Sequence, residues 1–127
     1  MRSKGMSKRR RGEIWLADLH PRQGTEPGKT RPVLIVQAQP LLDAEHPSTL
    51  IIPLTTNLQR ANLAGTARIV ASGDGPAEDS VALAFQLRAI PKSALETKIR
   101  DLTADELSEL ELATDEALGR LDPETSE

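Results

Sequence analysis

Apolar positions along the chain fall into five short runs followed by one long amphipathic stretch. The first run is residues 13–18, EIWLAD. The second, 31–37 (RPVLIVQ), is continuously apolar in its middle, as expected for a strand covered on both faces. The third, 49–55 (TLIIPLT), reads as a strand whose Pro53 lacks an amide proton. That moves it towards a sheet edge or a bulge. Residues 66–70 (TARIV) make a weaker fourth. Residues 80–88 (SVALAFQLR) alternate, with Val81, Leu83, Phe85 and Leu87 on one side and Ala82, Ala84, Gln86 and Arg88 on the other. That second side is small and polar, and it suits a ligand or plain solvent equally.

Residues 103–121 predict a helix. Thr103 and Glu106 have the spacing of a capping box, and Asp105 and Glu106 suit the positive end of the helix dipole. Leu107, Leu110, Thr114, Ala117 and Leu121 recur every three or four residues, with Leu118 beside them. Pro123 limits continuation. The opposite face carries Glu109, Glu111, Asp115 and Glu116, read as a solvated face. Short strands followed by one late helix predict a mainly β (α+β) fold, a small bent barrel with a C-terminal α-helix.

The 127 residues suit a single domain at 12–121. Residues 1–11, MRSKGMSKRRR, read as a disordered basic arm, either a solvated tail or an electrostatic arm. Residues 122–127 read as a disordered tail. Trp15 and Phe85 are the only large rings, so the core must be aliphatic. The absence of Cys excludes disulfides, thiolate catalysis and Cys-ligated zinc. No apolar run has the length of a membrane span or secretory segment, which makes the cytoplasm the expected location.

Charge is unevenly spread. Residues 1–31 hold nine basic and three acidic side chains, whereas 101–127 hold ten acidic ones and a single base, Arg120. The net charge of -3 therefore does not exclude a nucleic-acid partner, because phosphate binding depends on the local patch.

Most common catalytic sets are missing. His20 precedes Pro21 in a turn and His46 lies in a polar loop, so they make no evident acid–base pair. No spacing resembles a zinc site, and no Gly-rich phosphate cradle or GxSxG elbow is present. No metal or other cofactor is expected. What remains is polar and cationic. Arg31 opens the second strand after a long loop, and Thr55 closes the third. If these strands pair antiparallel, the start of one sits beside the end of the other. Arg22 and Lys29 lie in the loop above that rim, and Gln86 and Arg88 could join late in the fifth strand. From residue types alone, Arg31 and Thr55 could equally just satisfy strand-end backbone groups.

Several stretches together resemble the MazF/PemK family of toxin endoribonucleases. They are RRGEIWLADLHP at 10–21, GTEPGKTRPVLIVQ at 24–37, IIPLTTN at 51–57, DSVALAFQLRAI at 79–90 and the closing LTADELSELELATDEALGRL. The resemblance implies an SH3-like barrel of about five to seven strands, acting as a homodimer. It implies metal-independent, sequence-specific cleavage of single-stranded RNA, mRNA included, by a toxin of a type II toxin–antitoxin pair. It also implies a cognate antitoxin occupying the RNA groove. On this resemblance the catalytic residues are Arg31 and Thr55. Arg22, Thr25, Glu26, Lys29, Thr56, Asn57, Gln86 and Arg88 are the RNA-binding candidates. The alternatives are a non-catalytic small-barrel binding module and a toxin of the same fold that poisons gyrase.

The chemistry expected is attack of the ribose 2′-OH on the adjacent phosphorus, leaving 2′,3′-cyclic phosphate and 5′-OH ends. DNA lacks that nucleophile. Arginine as a residue type is a poor base, since guanidinium holds its proton to above about pH 12. Arg31 is therefore expected to stabilise charge on the phosphoryl oxygens, with the Thr55 hydroxyl as a second donor.

Overall fold

The first two apolar runs become neighbouring antiparallel strands, and the third joins them, so the sheet grows outward from its most hydrophobic segments. The computed structural model describes residues 8–19 and 30–121. Among these are β1 (Glu13–Asp18), β2 (Thr30–Ile35), α1 (Gln39–Asp43), β3 (Ser48–Thr55) and β4 (Thr66–Ile69). They continue with β5 (Ser80–Leu83), β6 (Arg88–Pro91), β7 (Leu95–Asp101) and α2 (Ala104–Ala117). Short 3-10 turns occupy Leu58–Asn62, Ala84–Gln86 and Lys92–Ala94. The strand order is β4-β5-β3-β2-β1-β7, with β6 also on β3. The result is a mainly β, seven-stranded, barrel-like sheet with a C-terminal helix, as the sequence predicts.

The expected single strand at 80–88 is a different object. It is two short strands separated by the turn at Ala84–Gln86. β5 pairs with the end of β3 (Leu54↔Ala82, Thr55↔Val81), and β6 with its beginning (Ser48↔Pro91 to Ile51↔Arg88). Side-chain alternation does not survive the turn. Ser80 to Ala84 are all buried, whereas Phe85 is exposed. Pro53 is not at an edge either. It faces Val33 of β2, and on its other side it falls between the β5 and β6 pairings, where a missing amide proton breaks no ladder bond.

Both faces of the sheet are apolar. Ile14, Leu34, Ile52, Leu54, Ala67, Ile69 and Ala82 form one core with Leu110 and Ala113 of α2. Ala17, Val33, Ile35, Ile51, Ile90 and Leu95 form the other, under Leu42 of α1. The uninterrupted run in β2 has its reason here: Leu34 serves one core while Val33 and Ile35 serve the other. Fully burying such a side chain is worth about 1.5–3 kcal/mol.

The edge strands β4 and β7 are joined by side chains. Arg100 of β7 donates to the carbonyls of Val70 (2.9 Å) and Gly75 (2.7 Å) and to both oxygens of Glu106 (2.8 and 3.1 Å). Glu106 accepts from the amides of Val70 (3.0 Å) and Thr103 (3.0 Å), and Thr103 Oγ1 accepts from the Glu106 amide (3.1 Å). The expected capping box is present, and its glutamate also links α2 to the end of β4. Gly75 has a φ of +108°, and a Cβ there would lie 2.6 Å from Ile99 Cγ2, so this close approach requires glycine.

Helix α2 is shorter than expected. It stops at Ala117, before Gly119 with its φ of +71°, rather than running on to 121. Its deepest residues are Glu106, Leu110 and Ala113, so the buried stripe is rotated from the predicted one. Leu118 and Leu112 are exposed. The acidic face is only partly solvated, since Glu116 accepts from the Gly65 amide at 2.8 Å and Glu111 meets Arg11 at 3.4 Å. Part of the expected arm is docked. The Arg11 amide donates to Gln39 Oε1 (2.9 Å), and Arg9 donates to the Lys92 carbonyl (3.3 Å) while lying 5.9 Å from the Trp15 ring centroid. Residues 1–7 and 122–127 lie outside the described residues. No helix among the described residues is long and apolar enough to cross a membrane.

Candidate functional site

The site candidates sit on adjacent strands. The β1–β2 register pairs Ala17 with Arg31. The β2–β3 register pairs Val33 with Pro53, Leu34 with Ile52 and Ile35 with Ile51. Carried two residues further, that register sets Arg31 opposite Thr55. Directly opposed residues in an antiparallel pair project from the same face. Leu34 and Leu54 point into the core beneath α2, so Arg31 and Thr55 project from the other face, at the rim where β2 begins and β3 ends. Arg31 is exposed and Thr55 half-buried.

The Thr55 hydroxyl is oriented by its own chain. Its oxygen accepts from the Asn57 amide at 3.2 Å. A hydroxyl has one donor and two acceptor positions, so this bond uses an acceptor position and leaves the O–H to donate elsewhere. Asn57 in turn uses its Oδ1 to accept from the Gln59 amide at 3.2 Å, capping the turn at Leu58–Asn62. Thr56 lies on the other side of the rim. It lines a 360 Å³ cavity with Leu16, Pro32, Ser80 and Ile99, walled also by the 74–78 loop.

The other expected residues are placed less favourably. Arg22, Thr25, Glu26 and Lys29 fall outside the described residues. Arg88 does not reach the rim. It sits opposite Ile51, four residues before Thr55 on β3, or about 13 Å away at 3.3 Å per residue. It shares the face of Arg31, exposed but well along it. Gln86 belongs to the turn at Ala84–Gln86, which packs against α2, and not to a strand rising to the rim. In both cases the 3-10 break redirects the chain. Sequence reasoning passed over Arg68, which lies between the buried Ala67 and Ile69 on β4 and faces away from their core. That in–out–in pattern was the signal available for it.

His46 is exposed, and His20 is outside the described residues. Among the described residues no group of three or more His, Cys, Asp or Glu side chains could hold a metal ion. Glu106 is the one carboxylate among the described residues with a strongly shifted pKa. Burial pushes its pKa up, but hydrogen bonds from Arg100, Thr103 and Val70 outweigh this and hold it at about 2. It serves the seam between β4 and β7, not the Arg31–Thr55 rim.

The fold and rim define a class of small barrel-like β modules with a C-terminal helix on one side and an arginine and a threonine at the rim of the other. Comparison with known proteins narrows this class. Residues 10–118 match the family described as "PemK-like, MazF-like toxin of type II toxin-antitoxin system". The chain is 34% identical over 110 residues to endoribonuclease MazF of Staphylococcus saprophyticus, covering 87% of this chain and 91% of that protein. It is 33% identical over 113 residues to endoribonuclease EndoA of Bacillus subtilis, covering 89% and 97%. Among solved structures, the Mycobacterium tuberculosis toxin MazF-mt6 superposes with a TM-score of 0.68 at 26% identity, covering 87% of this chain and 98% of that one. This protein belongs to the PemK/MazF family of toxins of type II toxin–antitoxin systems.

Proposed function

We propose that this protein, as the toxin of a type II toxin–antitoxin pair, is an endoribonuclease that cuts single-stranded RNA. Its substrate is mRNA in the cytoplasm, cut at a short sequence motif. The observation that carries this reading is the shared rim position of Arg31 and Thr55, with the Thr55 O–H left free to donate.

The substrate supplies its own nucleophile. The ribose 2′-OH gives up its proton, O2′ bonds to phosphorus, and the bond from phosphorus to O5′ breaks. O5′ takes up a proton, leaving 2′,3′-cyclic phosphate and 5′-OH ends. Charge grows on the non-bridging oxygens in the transition state. The Arg31 guanidinium offers a planar fork of donors that fits two of them, and the Thr55 hydroxyl adds a third donor. Both are held by paired strands, so little reorganisation accompanies the reaction. No step draws on a metal. Arg88, farther along the same face, and the 20–29 loop with Arg22, Thr25, Glu26 and Lys29 hold flanking nucleotides. Asn57 borders the path and Thr56 lies across the rim from it, whereas Gln86, in the turn packed against α2, has no part in it.

Two related solved structures are complexes with an antitoxin, one from a mycobacterial species and one from Deinococcus radiodurans. By analogy, a cognate antitoxin occupies the RNA groove here, and the working toxin is a homodimer. The exposed Leu50 and Leu118 line one cleft with Val36 and Leu87, an apolar strip bordered by Arg11, Glu111 and Arg120 and of the kind a second copy covers.

The test is chemical. Mixed-sequence RNA and DNA of the same sequence are incubated separately with the protein. Cutting of RNA with DNA intact supports the reading, and intact RNA contradicts it.

A further inference from the structure

The register places a third residue in line with the proposed catalytic pair. Thr55 is opposite Val81 of β5, and Val81 is opposite Arg68 of β4. Arg31, Thr55, Val81 and Arg68 therefore form one transverse row across four adjacent strands. All four project from the side opposite the core beneath α2, because Leu54, Ala82, Ala67 and Ile69 beside them and Leu34, an odd number of residues from Arg31, fill that core. Val81 itself is fully buried between Thr55 and Arg68. Strands stand about 4.8 Å apart, so the Arg68 backbone is about 10 Å from that of Thr55.

Arg68 is lightly engaged by the protein. Its guanidinium meets the Asp79 carboxylate at 3.9 Å, with the two side chains 61% and 44% exposed. A pair so long and so open contributes little to stability. Asp79 meanwhile accepts from the Ala71 amide at 2.7 Å, so its carboxylate is anchored and does not depend on Arg68.

The surroundings give the row a direction. Beyond Arg68, at the β4 edge, lies a cleft also lined by the largely buried Arg100–Glu106 pair and by the exposed Asp101, Asp105 and Glu109. Exposed carboxylates there repel a polyanion. Arg68 thus stands at the boundary between the rim of Arg31 and the acidic N-terminal end of α2. A phosphate backbone crossing the rim meets Arg68 before repulsion begins, since Arg100 in the cleft is held by Glu106.

We propose that Arg68 is a phosphate-binding residue that positions the nucleotide neighbouring the scissile one and ends the RNA track at the β4 edge. The proposal rests on the endoribonuclease reading above. Arg68 makes no contact with the reacting atoms. It acts on binding and leaves the chemical step alone.

The experiment compares full-length wild type, Arg68→Ala and Arg68→Lys. Binding is titrated with a labelled mixed-sequence oligodeoxynucleotide, which lacks the nucleophile, at several salt concentrations. Cleavage of the matching RNA is followed in parallel. Arg68→Ala is expected to raise Kd and KM about 5–10-fold with kcat unchanged. The slope of log K against log salt should fall by about 0.7, the value for one lost single-strand phosphate contact. Arg68→Lys should keep the wild-type slope. Wild-type Kd and slope in a folded Arg68→Ala protein would overturn the assignment while leaving the Arg31–Thr55 reading standing. A fall in kcat with Kd unchanged would overturn it too. A wild-type protein that neither binds nor cuts RNA removes the reading beneath it.

Discussion

Arg100 of β7 and Glu106 of α2 form a two-point ion pair, 2.8 and 3.1 Å, that links the open edges of the sheet. Each partner also holds backbone. Arg100 takes the carbonyls of Val70 and Gly75, and Glu106 takes the amides of Val70 and Thr103. A ladder between β4 and β7 would have done this with main chain alone. Here two side chains tie both strand edges and the helix cap together.

Breaking this pair should be costly. Removing one partner leaves a buried charge without its counter-ion, at about 3–5 kcal/mol. Glu106→Ala and Arg100→Ala should each lose stability of that order in urea unfolding. The double variant should lose clearly less than the sum of the two. Additive losses would show that the two side chains act independently.

The same pair sets the acid response. Glu106 titrates at about 2 in the folded chain, against an ordinary 4.5. A carboxylate with a depressed folded pKa stabilises the native state above its unfolded pKa, and that stability is lost as pH falls through the folded value. The shift corresponds to roughly 3 kcal/mol, present above about pH 5 and lost progressively towards pH 2. Unfolding free energy measured across that range should fall steeply for wild type and less steeply for Glu106→Gln.

The Thr55 hydroxyl should matter for rate more than for fold. Thr55→Val keeps the shape, removes the donor and leaves the Asn57 amide without its acceptor. That amide costs about 1 kcal/mol of stability. The lost donor should lower kcat by about 10²–10³-fold. Thr55→Ser should retain most of the activity. Equal rates for Thr55→Val and wild type, both folded, would remove Thr55 from the chemistry.

How much of this was readable beforehand follows from the kind of interaction involved. The placement of Arg31 and Thr55 at one rim was legible because β2 and β3 are strong apolar runs in an antiparallel pair, which brings a strand start beside a strand end. The Thr103–Glu106 box was legible because its spacing is local. The partnership of Glu106 with Arg100 was not, since it depends on β4 and β7 curling towards each other. β7 was missed because LETKIRD is an edge strand with only Leu95 buried, too little to stamp an apolar pattern. α1 was missed because a single buried residue, Leu42, anchors it behind Pro40. The break at Ala84–Gln86 was hidden because apolar alternation in the sequence runs straight through it, and Arg88 was misplaced for the same reason. The catalytic role proposed for Arg31 came from family resemblance, since geometry alone places the arginine without giving it a reaction.

The most direct test of the central claim is end-mapping of RNA incubated with wild-type and Arg31→Ala protein in excess chelator. The account predicts that wild type leaves 2′,3′-cyclic phosphate and 5′-OH ends at one short motif, and that folded Arg31→Ala leaves the RNA whole. Cutting by Arg31→Ala at the wild-type rate, or wild-type activity that vanishes in chelator and returns with a divalent ion, would contradict it.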